Sequence, residues 1–126
     1  MRHRRKVKKL GRDFQHRRLM LRNLFTSLLD KEKIKTTEAK AKELVRLTNR
    51  LIEGAKSGDL HSRRQVAKYI TNKEVYKKFF GELLPVLSPR VGGHVRMVRL
   101  GYRKGDGAML SQVELIKEAV EKGKKH

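Results

Sequence analysis

The 126-residue chain contains no cysteine. Disulfide staples, thiol redox chemistry and cysteine-ligated zinc are thereby excluded. Acids are also scarce: 13 Asp and Glu stand against 33 Lys and Arg, a formal net charge of +20. Self-repulsion of that size disfavours a compact state unless a polyanion neutralises it. No stretch approaches the roughly 18 consecutive apolar residues of a membrane span. The basic start, Met1 to Lys6, is not followed by the apolar segment of a secretory signal. The expectation is a soluble, intracellular, single-domain protein with an anionic partner.

Catalytic constellations are missing as well. The five histidines have no HExxH or HxxxH spacing, and no serine sits in a G-x-S-x-G context. Gly105-Asp-Gly107 lacks the third glycine of a dinucleotide fingerprint, so Asp106 reads as a turn residue. Asp30 and Glu32 alternate with Lys31 and Lys33, which predicts local ion pairs rather than a poised acid. No enzyme activity, cofactor, metal ion, membrane or small-molecule substrate is expected.

What is present is basic charge, and it is unevenly spread. The first 22 residues hold ten Lys or Arg and one acid, a net of +9, leaving +11 for the other 104. Residues 1–13 offer only Val7 and Leu10 to a core, too little apolar surface to offset the entropy of ordering. They are read as a basic arm that orders on phosphates, with a solvated tail or localisation signal as the alternative.

The remainder reads as one α+β domain, residues 14–116, followed by a polar tail, 117–126. Leu21, Leu24, Phe25, Leu28 and Leu29 predict a helix from about Phe14, with Asp13 as its cap. Arg17, Arg18 and Arg22 crowd its N-terminal half against the helix dipole, as if an external anion held them. A short strand at 33–36 follows. Thr36 or Thr37 caps a second helix, 38–57, with Ala41, Leu44, Val45, Thr48, Leu51, Ile52 and Ala55 on one face. Gly58 stops it, and Asp59 caps a third over 60–71, with Val66, Ala67 and Ile70 inward.

Asn72 caps a fourth helix, which Pro85 distorts or ends. Its aromatics lie at helical spacing and belong to the core, not to a base-stacking platform. Strands at 95–102 and 109–116 then form a hairpin around Lys104-Gly-Asp-Gly107. In the first of them Val98, Leu100 and Tyr102 alternate with Arg99, Gly101 and Arg103. The expected fold is two-layer: a small mixed sheet, joined by the Ile34 strand and covered by helices.

Arg and Lys bind phosphates and release counterions. Gly92-Gly93, flanked by Arg90, His94 and Arg96, would let backbone approach a phosphate, or would simply connect into the strand. Arg63-Arg64 lacks a recognition helix around it. Composition leaves DNA and RNA both open, so a nucleoid-type DNA-binding protein is the alternative. A dispersed basic surface with a basic arm suits irregular folded RNA better than a regular groove.

The order of motifs decides between them. Met1-Arg-His3, His16-Arg17, Arg22-Asn23 and Ser27-Leu28 precede Ile34-Lys-Thr-Thr37 and Lys40-Ala-Lys-Glu-Leu44. Arg63-Arg64, Arg90-x-Gly-Gly93, Arg96, Gly105-Asp106 and Val113-Glu-Leu115 follow. In this order, from Met1 to about Ile116, the chain resembles the family of bacterial large-subunit ribosomal protein seventeen. His94 stands where the family commonly has Tyr.

The resemblance implies a structural, non-catalytic α+β protein bound to large-subunit ribosomal RNA in the cytoplasmic ribosome. It implies neighbouring large-subunit proteins as further partners, on the solvent side towards the rim of the exit tunnel. The candidate RNA-binding residues fall in four groups. The arm supplies Arg2, His3, Arg4, Arg5, Lys6, Lys8, Lys9 and Arg12. The first helix supplies His16, Arg17, Arg18, Arg22 and Asn23, and the next turn Lys35, Thr36 and Lys40. Arg63, Arg64, Arg90, Gly92, Gly93, His94, Arg96 and Arg99 complete the set.

Overall fold

Helix α1 runs Phe14–Lys31 and buries Leu21, Phe25, Leu28 and Leu29 along one side. The computed structural model describes residues 14–117, so the arm, the Asp13 cap and the tail beyond Lys117 lie outside it. Helix α1 ends where Glu32 turns left-handed, φ 69°, and its N–H donates to Leu28 O. Glycine usually takes that place. Here Lys78 and Lys117 reach the Glu32 carboxylate, at 3.1 and 2.6 Å. The expected pairing of Glu32 with its sequence neighbours is therefore corrected, because the turn aims it at the fourth helix and at Lys117 just after the last strand. The Lys117 hydrogen bond, ahead of the Lys78 contact, holds its pKa below the ordinary value.

Strand β1, Lys33–Thr37, leads directly into α2, Glu38–Ala55. The apolar stripe of α2 is buried as its periodicity predicts, from Ala41 to Ala55. Thr37 occupies the N-cap position but its hydroxyl makes no cap bond, contrary to expectation. Gly58 leaves the helix at φ 71°, and Asp59 accepts from Ser62 N–H at 2.8 Å to open α3, Leu60–Ala67. That helix ends four residues short of the expected Thr71. Val66 and Ile70 are buried while Ala67 is exposed.

Asn72 caps the next helical stretch, accepting from the N–H groups of Glu74 and Val75. The stretch is continuous but not regular: α4, Lys73–Lys78, a π-helical turn, Phe79–Leu83, then α5, Leu84–Leu87. Pro85 has no N–H to return to the preceding turn. Beside it, Leu84 N–H reaches back five residues to Phe79 O, which widens the helix without breaking it. Phe79 is fully buried and meets Phe25 edge-on at 6.5 Å, so these aromatics do serve the core.

Loop 88–94 leads to β2, Val95–Tyr102, and β3, Met109–Leu115. Arg103 N–H donates to Ala108 O at 2.7 Å to close the hairpin, and Asp106 bonds Arg103 and Ala108 N–H across it. The sheet order is β1-β3-β2 and both pairings are antiparallel. The expected mixed sheet is thus corrected. Strands β1 and β2 point the same way, but β3 lies between them, which places Val113 fully buried at the centre.

The phase of the alternation in β2, which the sequence leaves open, is set by packing. Val95 is buried and Met97 packs on the core, whereas Val98, Leu100 and Tyr102 are exposed. A register shift between Arg99 and Gly101 interrupts the ladder there. Helix α2 lies across all three strands and, with α1, covers one face of the sheet. The α+β two-layer architecture is as expected.

Candidate nucleic-acid interface

The basic residues of α1 meet two segments that are distant in sequence. Arg17, Arg18 and Leu21 share a cleft of about 270 Å³ with Glu43, Arg46 and Arg50 of α2 and with Tyr69. A second cleft of about 260 Å³ lies beside it, walled by Arg18, Leu19, Arg22, Lys68 and Tyr69. Tyr69 and Arg18 are common to both. Among the described residues, six cations therefore surround one half-buried tyrosine, with Glu43 the only acid in either wall.

The carboxylate of Glu43 is buried and lies 3.2 Å from the exposed Arg46 guanidinium. Arg50 and Lys68 have no carboxylate partner among the described residues. The Nε of Arg22 is buried without a hydrogen-bond acceptor. Thr26 fixes the clefts' common wall. Its hydroxyl lies 2.9 Å from Arg22 O and 3.0 Å from Tyr69 O, and it accepts from Thr71 N–H at 3.2 Å.

The remaining candidates divide by environment. Arg17 is only 9 % exposed, so it serves the packing of α1 more than an outside ligand. His16, Asn23 and Lys35 are exposed, and Thr36 and Lys40 are half-buried around the β1–α2 junction. Arg63 and Arg64 are exposed on α3, where the Arg63 guanidinium sits 5.2 Å from the Phe80 ring centroid. Arg96 donates to Glu114 across the sheet at 2.8 Å, and Arg99 to Glu38 at the start of α2 at 3.0 Å. Both remain exposed. The eight candidates from Arg2 to Arg12 lie outside the described residues.

The double-glycine loop is built inward. Gly92 and Gly93 both adopt positive φ, 69° and 56°, as only glycine does readily. Gly92 N–H donates to Glu53 Oε2 at 2.8 Å, so an internal carboxylate occupies the place expected for a phosphate. The same oxygen lies 2.9 Å from Lys56 Nζ and 2.6 Å from His94 Nε2. Lys56, then His94 and Gly92, lower the Glu53 pKa to about 2. Lys56 also donates to Arg90 O, and Arg90 Nε to Gly93 O.

His94 itself is fully buried, and its backbone N–H donates to Asn49 Oδ1 at 2.8 Å. His94 and the Gly92 amide, both candidates for RNA contact, are bonded within the protein and fasten the loop to α2.

Sequence reasoning missed Arg46, Arg50, Lys68 and Tyr69. A signal existed for two of them. Arg46 and Arg50 stand four apart, on the side of α2 away from its apolar stripe. For Lys68 and Tyr69 none did, because they reach the cleft only through the packing of α3's end on α1.

The sequence profile of the family described as ribosomal protein L17 matches residues 20–116. The chain belongs to the ribosomal protein L17 family. The L17 relatives are named large ribosomal subunit protein bL17. One from Syntrophomonas wolfei is 50 % identical over 109 residues, covering 86 % of this chain and 96 % of its own. One from Rubrobacter xylanophilus is 47 % identical over 121 residues, 96 % of this chain and 100 % of its own. One from Geobacter metallireducens is 46 % identical over 125 residues, 99 % and 70 %. The L17 family is structural and not enzymatic. Among the described residues no helix is long and apolar enough to cross a membrane.

Proposed function

We propose that the chain is a structural component of the bacterial large ribosomal subunit that holds folded large-subunit RNA through Arg and Lys contacts to phosphates. It works in the cytoplasm, within the ribosome, beside neighbouring large-subunit proteins. The observation that carries this reading is the cationic face around Tyr69, where Arg22, Arg50 and Lys68 have no carboxylate partner among the described residues. Cations gathered from three helical segments repel one another, and a phosphate backbone relieves that repulsion while releasing counterions. Family membership supports ribosomal RNA over other polyanions.

The test is a triple variant, Arg22→Ala, Arg50→Ala and Lys68→Ala. Its log–log salt dependence of binding to large-subunit RNA should flatten by about 2–3, near one unit per lost phosphate contact. In a sucrose gradient it should leave the large subunit at lower salt than the wild type. An unchanged slope, or wild-type preference for duplex DNA over large-subunit RNA, would overturn the reading.

A further inference from the structure

Tyr69 is unlike the other aromatics of the domain. Phe25 and Phe79 are fully buried, and Tyr76 packs against Phe80 at 4.9 Å. Tyr69 is half-buried and separates two basic clefts of similar size. Arg22 and Lys68 stand on one side of it and Arg46 and Arg50 on the other. Its backbone is pinned by Thr26 from α1 and by its own N–H bond to Val66 O.

We propose that this face accepts an unpaired nucleotide of folded RNA. Tyr69 stacks on the extruded base, and the cations on either side hold the flanking phosphates. The inference rests on the reading of this face as an RNA site and narrows its ligand. Three features support it. A regular duplex presents a smooth phosphate track, which calls for a basic surface but not for two clefts divided by an aromatic. An aromatic interleaved with cations is the equipment that reads unstacked bases. Finally, Arg22 is half-buried in the cleft wall beside Tyr69 with no carboxylate partner among the described residues, which leaves its guanidinium charge for a phosphate to balance.

The test uses two labelled RNA hairpins with the same stem, one carrying a single bulged uridine and one fully paired. Binding is followed by fluorescence anisotropy. Tyr69→Leu should weaken binding of the bulged hairpin roughly tenfold and leave the paired one unchanged, while Tyr69→Phe keeps the wild-type preference. With 5-iodouridine at the bulge, ultraviolet irradiation of the wild-type complex should place the adduct on Tyr69, read by mass spectrometry. Equal effects of Tyr69→Leu on both hairpins, or an adduct elsewhere, would overturn the inference. If Tyr69→Leu does not fold, the cross-link decides alone. Arg50→Ala with Lys68→Ala should weaken both hairpins. If it weakens neither, the RNA face itself is wrong; if it weakens both without a Tyr69 preference, only the unpaired-nucleotide inference falls.

Discussion

Glu53 carries more of the loop's structure than any other side chain, since one carboxylate oxygen joins Lys56, His94 and the Gly92 amide. Its folded pKa, about 2, lies below the ordinary 4.5. A depressed folded value means that its contribution to stability is complete above about 4.5 and is lost as pH falls towards about 2. Glu53→Gln should therefore melt below wild type at pH 7, with the gap closing as both approach pH 2. Gly92 amide exchange should quicken in the variant at pH 7. Arg17 belongs to the same scale. At 9 % exposure its truncation removes packing as well as charge. Arg17→Ala should cost about 1–3 kcal/mol in denaturant unfolding, whereas Arg50→Ala, exposed on α2, should stay within about 0.5 kcal/mol.

Among the elements, α2 is the spine of the domain, touching α1, α3 and all three strands. One weak position interrupts it. Gly54 lies in its last turn with no positive φ, and a Cβ added there meets nothing within 4 Å. Gly54→Ala should stabilise the protein by about 0.4–1 kcal/mol, through lost freedom in the unfolded chain, measurable as a higher melting temperature. The elements also show where periodicity is a sufficient guide. The α2 stripe was legible because helical spacing leaves one apolar face and one place for it to go. Strand β2 was not, because it carries apolar side chains on both faces: Val95 and Met97, Val98 and Leu100. Only packing against α2 chooses between them, and the register shift near Leu100 alters the alternation further along.

At the scale of the whole molecule, charge must be balanced by something outside the chain. The carboxylates of the described domain are largely engaged: Glu32, Glu38, Glu43, Glu53, Asp106 and Glu114 each meet at least one cation. What they leave over includes Arg22, Arg50 and Lys68 beside Tyr69, and residues 1–12 add seven Lys and Arg with no acid. Deleting residues 1–12 should leave the circular dichroism spectrum largely intact and flatten the salt dependence of RNA binding. A large loss of ellipticity, or an unchanged slope, would show that the segment does not act as an RNA-binding arm.

Composition and local pattern by themselves determined the α+β class of this protein and its need for an anionic partner. The charge excess, the missing catalytic spacings, the apolar stripes of α1 and α2 and the hairpin turn depend on residues near one another in sequence, where the chemistry is local. Asn72, Asp59 and Gly58 could be read as helix caps and stops for the same reason. Only the tertiary structure decided which basic residues gather at one face and which are buried. Arg17 and His94 look as free as any other polar residue in the sequence, yet packing buries both. Arg22, Arg50, Lys68 and Tyr69 come from three helical segments, and no local pattern foretells that their side chains wall adjoining clefts. The physical reason is range. A helix follows from neighbours a few residues apart, whereas a binding face follows from how helices pack, and that is fixed by the shared core beneath them.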